Sequence, residues 1–157
     1  MGSYAGCAGL LTRPFSVDTD TPSIFSGHDR GPSLLDRAEL AAHLFRSLPG
    51  EHAELVGDSM PGWEPEPGRC HDNVARWLSQ HSEDRAVRGW LHVPYVAPPG
   101  YARFYSHSVV LTPTGRLLDV SLAPHDGRHE FVRHPGPEGE FLTAVANNGM
   151  PLIDHPL

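Results

Sequence analysis

The feature that most constrains this chain is a change of hydrophobic period part-way along it. In two segments before about residue 81, 34–48 and 70–81, the apolar residues recur at helical spacing, and from about residue 86 they alternate. Helices that precede a run of consecutive strands predict an α+β fold rather than a doubly wound sheet, which needs strands and helices in alternation. The first helix is expected over Leu34 to Leu48, with Ser33 as N-cap, Ser33 and Asp36 resembling a capping box, and Pro49-Gly50 as terminator. The second is expected over Cys70 to His81, where Cys70, Val74 and Trp77 fall on one face and Leu78 extends it. Strands are expected at Ala86 to Tyr95, interrupted at Pro94, and at Ala102 to Thr112, Arg116 to Leu122 and His129 to His134. The turn Pro113-Thr114-Gly115 makes the middle pair an antiparallel hairpin. A short final helix is expected over Glu138 to Asn147, with Gly149 near its C-cap. Residues 1–32 read as an irregular arm and residues 49–69 as mostly loop.

One domain spanning residues 1–157 accounts for the length, and a domain of this size buries roughly 70% of its unfolded surface. The net charge of −7 argues against nucleic acid and against an anionic membrane surface as partners. No apolar run approaches the ~20 residues of a membrane span. The N-terminus Met1-Gly2-Ser3-Tyr4 lacks the basic stretch and apolar core of a secretory signal, so a cytoplasmic location is expected. All twelve basic residues are Arg. Without Lys there is no Schiff-base or lysine-base chemistry and no P-loop, and neither GxGxxG nor HExxH occurs. No cofactor is expected.

What remains is thiol chemistry. There are two cysteines, Cys7 and Cys70, too few for a disulfide framework; Cys7 reads as free, and a Cys7–Cys70 bond is the alternative. Cys70 is the candidate nucleophile. Gly68-Arg69-Cys70 opens a helix, so the thiol meets the unpaired N–H groups and positive dipole end that favour a thiolate, and the same N–H groups suit an oxyanion. Asp72, in the first turn, works against this by like charge. His107 is the candidate base. It shares a strand face with Tyr105, Val109 and Leu111, where an imidazole needs a partner. Asp119, a carboxylate in an otherwise apolar strand across the turn, is that candidate partner. If Val109 pairs with Asp119 the two are diagonal on one face, and if His107 pairs with Asp119 they are opposed. A slip of one residue puts them on opposite faces and removes the triad.

The stretches GRCHDNVARWL, VRGWLHV and SHSVVLTPTGRLLDVSL, within residues 68–122, resemble the transglutaminase-like branch of the papain-like cysteine protease superfamily. The resemblance implies a Cys-bearing helix packed on an antiparallel sheet, a Cys–His–Asp triad in that chain order and acyl-enzyme thioesters. It places Cys70, His107 and Asp119 on the three catalytic positions. Such domains often carry an aromatic just after the His and another shortly before the Asp, where this chain has Ser108, Val109, Leu117 and Leu118. No Gln precedes Cys70, and the only Asn residues after His107 are Asn147 and Asn148, which favours Asp119 as third member and leaves the oxyanion donors unassigned.

The expected function is thiol-mediated acyl transfer on a peptide or small amide or acyl substrate, with hydrolysis first and transamidation, deamidation or acyl transfer to another nucleophile second. Trp63 and Tyr105 are candidate cleft residues for substrate. His92 is a competing base, His71 reads as too local to Cys70 to orient well, and Asn73 and Trp77 read as helix packing. Two other classes stay open: a non-catalytic binding or toxin-related module, and a metal protein using His125, His129 and His134, whose ordinary alternative is a solvated His-rich loop with no metal.

Overall fold

A computed structural model of the chain describes residues 36–146 and 151–157. The first helix, α1 (Arg37–Arg46), starts at Asp36, whose side chain accepts the Ala38 N–H at 3.3 Å. It is shorter than expected because Asp36 is itself the N-cap; Ser33, expected in that role, lies outside the described residues. The second, α2 (Cys70–Leu78), ends three residues before the expected His81. Between them the stretch expected to be loop contributes a two-residue strand, β1 (Glu54–Leu55).

The strands that follow are β2 (Arg85–His92), β3 (Tyr101–Leu111), β4 (Leu117–Asp119) and β5 (Glu130–Arg133). Helix α3 (Glu138–Ala146) and a last strand, β6 (Leu152–Pro156), complete the described chain. Strand β6 has no counterpart in the expectations, and Gly149, the expected C-cap, lies outside the described residues. Strand β4 stops at Asp119 rather than Leu122, because the Asp119 carboxylate captures the next backbone donors: Ser121 and Leu122 N–H groups meet Oδ1 at 2.9 and 3.0 Å. The expected interruption near Pro94 is a 3₁₀ turn over Pro94–Val96.

These strands form one mixed sheet in the order β1-β4-β3-β2-β5, with β6 also on β3. Only β1 and β4 run parallel, so the sheet is mixed rather than antiparallel as expected, because β1 comes from the stretch expected to be loop. The long strand β3 pairs with β2 along Phe104 to Leu111 on one side. On its other side β6 covers Tyr101 to Tyr105 and β4 covers Val110 and Leu111. Residues 106–109 of β3 therefore lie between two ladders on that edge.

The two faces of β3 bury different things. Ala102 and Phe104 pack with Leu40, Leu44, Trp90, Phe141 and Ile153, joining α1 and α3 to the sheet. Val110, on the same face, packs with Val74 of α2, Leu118 and Val120. Val109, on the opposite face, packs with Leu91, Val93 and Phe131. Gly89 is needed where β2 pairs with β5, since a Cβ there would stand 2.3 Å from Val132 O and 2.5 Å from the Phe131 ring. Among the described residues the fold is thus α+β, three α-helices against an open mixed sheet, and no described helix is long and apolar enough to cross a membrane.

Candidate active site

Gly68 has φ +73°, the left-handed backbone that turns the chain sharply into α2. Arg69 is the N-cap and makes no side-chain capping bond, so the N–H groups of the first turn are not taken by a cap. Cys70, the first residue of α2, is 2% exposed. Its Sγ lies 3.9 Å from Ser106 O and 3.7 Å from His71 Nδ1. Ser106 belongs to the stretch of β3 between the two ladders, so the N-terminus of α2 docks at that opening. The charge of Asp72 is offset: the Arg69 Nε donates to its Oδ2 at 2.7 Å, on the surface. Cys70 is disulfide-bonded, against the expectation of a free thiol. The chain's other cysteine, Cys7, lies outside the described residues. Thiolate chemistry therefore belongs to the reduced protein.

The hairpin register pairs Val110 with Leu118 and Leu111 with Leu117, which continues to Asp119 opposite Val109. His107 and Asp119 are accordingly diagonal on one face, the first of the two arrangements anticipated. His107 Nε2 donates to Asp119 Oδ2 at 2.7 Å, and both side chains are buried. A carboxylate only accepts, so Nε2 carries the ring proton and Nδ1 is the basic nitrogen. Burial alone would raise the Asp119 carboxyl. The charge and hydrogen bond of His107, with the N–H groups of Ser121 and Leu122, overcome it and hold the group below the usual carboxylate range.

Cys70 and His107 line the same cavity, of about 1080 Å³. Trp63 and Tyr105, the candidate substrate residues, line it too. The Arg76 guanidinium sits 4.6 Å from the Trp63 ring centroid, holding one wall. His92 is not part of this cavity; its Nδ1 pairs with Glu130 Oε2 at 2.9 Å. Nor are the three histidines of the proposed metal cluster gathered together. The His125 side chain is 79% exposed, while His134 packs against Trp90 and Phe141. Among the described residues no group of three His, Cys, Asp or Glu is placed to hold a metal ion.

Two features went unread in the sequence. Asn73, expected to serve helix packing, is a buried connector: its Nδ2 donates to Glu66 O at 3.0 Å and Ser121 Oγ at 3.2 Å, and its Oδ1 accepts from Glu66 N. It ties α2 to the turn that Asp119 organises. His71, set aside as too local, has its ring against the Cys70 sulfur. The ring is held toward the sheet by Ser108 Oγ at 2.6 Å and by an edge contact with Phe141. Burial first, then the Arg88 guanidinium and His107, push His71 down to about 4. Asn73, one of three asparagines in the chain, sitting three positions after Cys70 on the buried side of a helix, is the available signal for the first; nothing local signals the second.

Comparison with protein-family models, with curated proteins and with solved structures finds no match for this chain.

Proposed function

We propose that the reduced chain is a cysteine-dependent acyl-transfer enzyme on a papain-like, transglutaminase-like scaffold, with hydrolysis of an amide or peptide bond as its first activity. The observation that carries this is the buried 2.7 Å His107–Asp119 pair opening on the cavity that Cys70 also lines. The Cys70 thiolate attacks the acyl carbon, forming the C–S bond. The oxyanion meets the first-turn N–H groups of α2, which no side chain caps. The His107 imidazolium passes its proton to the departing amine as the C–N bond breaks. Water then attacks the thioester with His107 as base, releasing acid and thiol. An amine or second thiol in place of water gives transamidation or acyl transfer at the same site.

One observation favours the non-catalytic alternative: the disulfide at Cys70, which as a structural staple would hold the chain together and leave no nucleophile. Compartment separates the two. In a reducing cytoplasm such a bond is kept open, and the thiol is competent. The test is the alkylation rate of Cys70 against pH in reduced Cys7→Ser protein, with and without His107→Ala. A thiol pKa well below about 8.5 that His107→Ala abolishes supports catalysis. An ordinary titration in both proteins supports the staple.

A further inference from the structure

Cys70 touches one histidine, His71, and shares its cavity with another, His107, and the geometry distinguishes their roles. His71 is the one in contact, with Nδ1 at 3.7 Å from Sγ. That nitrogen also lies 2.6 Å from Ser108 Oγ, and Ser108 is fully buried. On the far side Arg88 Nη1 donates to the same Oγ at 2.7 Å, while Arg88 Nε is held by Glu138 Oε1 at 2.7 Å. Arg88 and Ser108 are direct cross-strand partners, and Glu138 opens α3. A guanidinium has only donors, so it occupies a Ser108 lone pair and leaves the hydroxyl proton to be given away. The acceptor within reach is His71 Nδ1. His71 then carries its own proton on Nε2, a buried atom with no hydrogen-bond partner, beside the Phe141 ring.

We propose, building on the acyl-transfer function, that Ser108 is a positioning residue: set by Arg88, it fills the His71 Nδ1 lone pair and so closes the nearer histidine to the Cys70 proton. The thiol proton is then left to His107. The groups around His71 are Cys70 and Asp72 from its own helix, Ser108 from β3, Arg88 from β2 and Phe141 from α3, and the charge of His107, on the other face of β3, acts on it as well. Asp72 alone favours a charged ring, and it is bound to Arg69.

A purely structural network would also bury these groups, so the test reads protonation rather than stability. It uses the reduced, full-length chain in a Cys7→Ser background, with ¹⁵N-histidine NMR and the alkylation rate of Cys70 against pH. In the parent, His71 should be the Nε2–H tautomer, and alkylation should follow one titration step. Ser108→Ala should raise the His71 titration by about one pH unit or more and split the alkylation profile into two steps, as two bases share one proton. Ser108→Thr, which keeps the hydroxyl, should restore both signatures. An Nδ1–H tautomer in the parent chain overturns the proposal without any variant. A profile that Ser108→Ala leaves unsplit, while His107→Ala changes it, overturns the proposal and leaves the acyl-transfer function standing. A profile indifferent to both substitutions overturns the two together.

Discussion

Asp119→Asn changes almost no volume, yet the hydrogen bonds around it leave the new side chain a single orientation. Oδ1 accepts two partly buried backbone donors, from Ser121 at 2.9 Å and Leu122 at 3.0 Å. Turning the amide NH₂ toward them would strand both N–H groups, at about 1–3 kcal/mol each. The amide oxygen therefore stays there, and the NH₂ takes the Oδ2 position, 2.7 Å from His107 Nε2. Donor then faces donor, so His107 must present its Nε2 lone pair and move its proton to Nδ1. A ring protonated at Nδ1 has no lone pair there for the thiol. The loss expected of a triad with the wrong tautomer is about 10⁴-fold in kcat, equivalent to about 5.5 kcal/mol of transition-state stabilisation. Before a substrate is known, the assay is alkylation of reduced Cys70. The low-pH limb of the rate profile should vanish in Asp119→Asn and leave a step near the ordinary thiol value of about 8.5. Histidine ¹⁵N spectra should show the His107 tautomer exchanged. A profile superimposable on the parent's, in a folded variant, would refute the reasoning, because it would mean that Asp119 does not set the His107 proton.

Three further outcomes follow from the same geometry. His71 has a folded pKa of about 4 against about 6.5 when unfolded, so below pH 6.5 the unfolded chain binds the extra proton. Its contribution is intact above pH 6.5 and is lost as pH falls toward 4, by up to about 3 kcal/mol less some solvent screening; urea midpoints at pH 7 and 4.5 should differ less in His71→Phe than in the parent. Gly89→Ala should cost about 1–3 kcal/mol, because its Cβ meets backbone at Val132 O, and thermal melting should show the drop. Asn73→Asp should impair Cys70 alkylation more than Asn73→Ala, since it sets a carboxylate oxygen against Glu66 O and adds negative charge on the nucleophile's helix; equal effects in the two variants would refute the connector role.

The parts of the site that were legible in the sequence are the local ones. His107 and Asp119 lie on two strands joined by a short turn, and alternation plus Pro113-Thr114-Gly115 was enough to place them on a hairpin. Register was the missing fact, and the sequence alone allowed both anticipated pairings. Gly68 announced a sharp entry to α2, and its positive φ bears that out. The illegible parts depend on chain segments far apart in sequence. β1 is two residues long and has no alternation to detect; it exists because Glu54 and Leu55 pair with Leu118 and Asp119. β6 ends in Pro156, a residue that argues against a strand interior but is tolerated at a terminus. The Arg88–Ser108–His71 contacts join β2, β3 and α2, and neither a periodicity nor a motif encodes them.

The unread strand β6, together with the short β4, also explains how the nucleophile and its base can share a cavity. α2 packs through Val74 on the face of β3 that carries Val110, whereas His107 lies on the other face with Val109. Across an unbroken sheet a helix residue and that histidine would be kept apart by the backbone layer. Here the β6 ladder ends at Tyr105, with one further bond from Ser106 N–H to Pro151 O, and β4 joins only at Val110, so the edge beyond the Ser106 N–H is left open as far as Val109. Cys70 reaches Ser106 O at this opening, and the cavity that holds His107 begins there. Asp119 serves both sides of the arrangement: its Oδ2 orients the base, and its Oδ1 ends β4 by taking the Ser121 and Leu122 N–H groups, which keeps the opening from closing. A single carboxylate thus couples strand length to proton position, so a substitution that frees Oδ1 should disturb thiol access as well as the His107 tautomer.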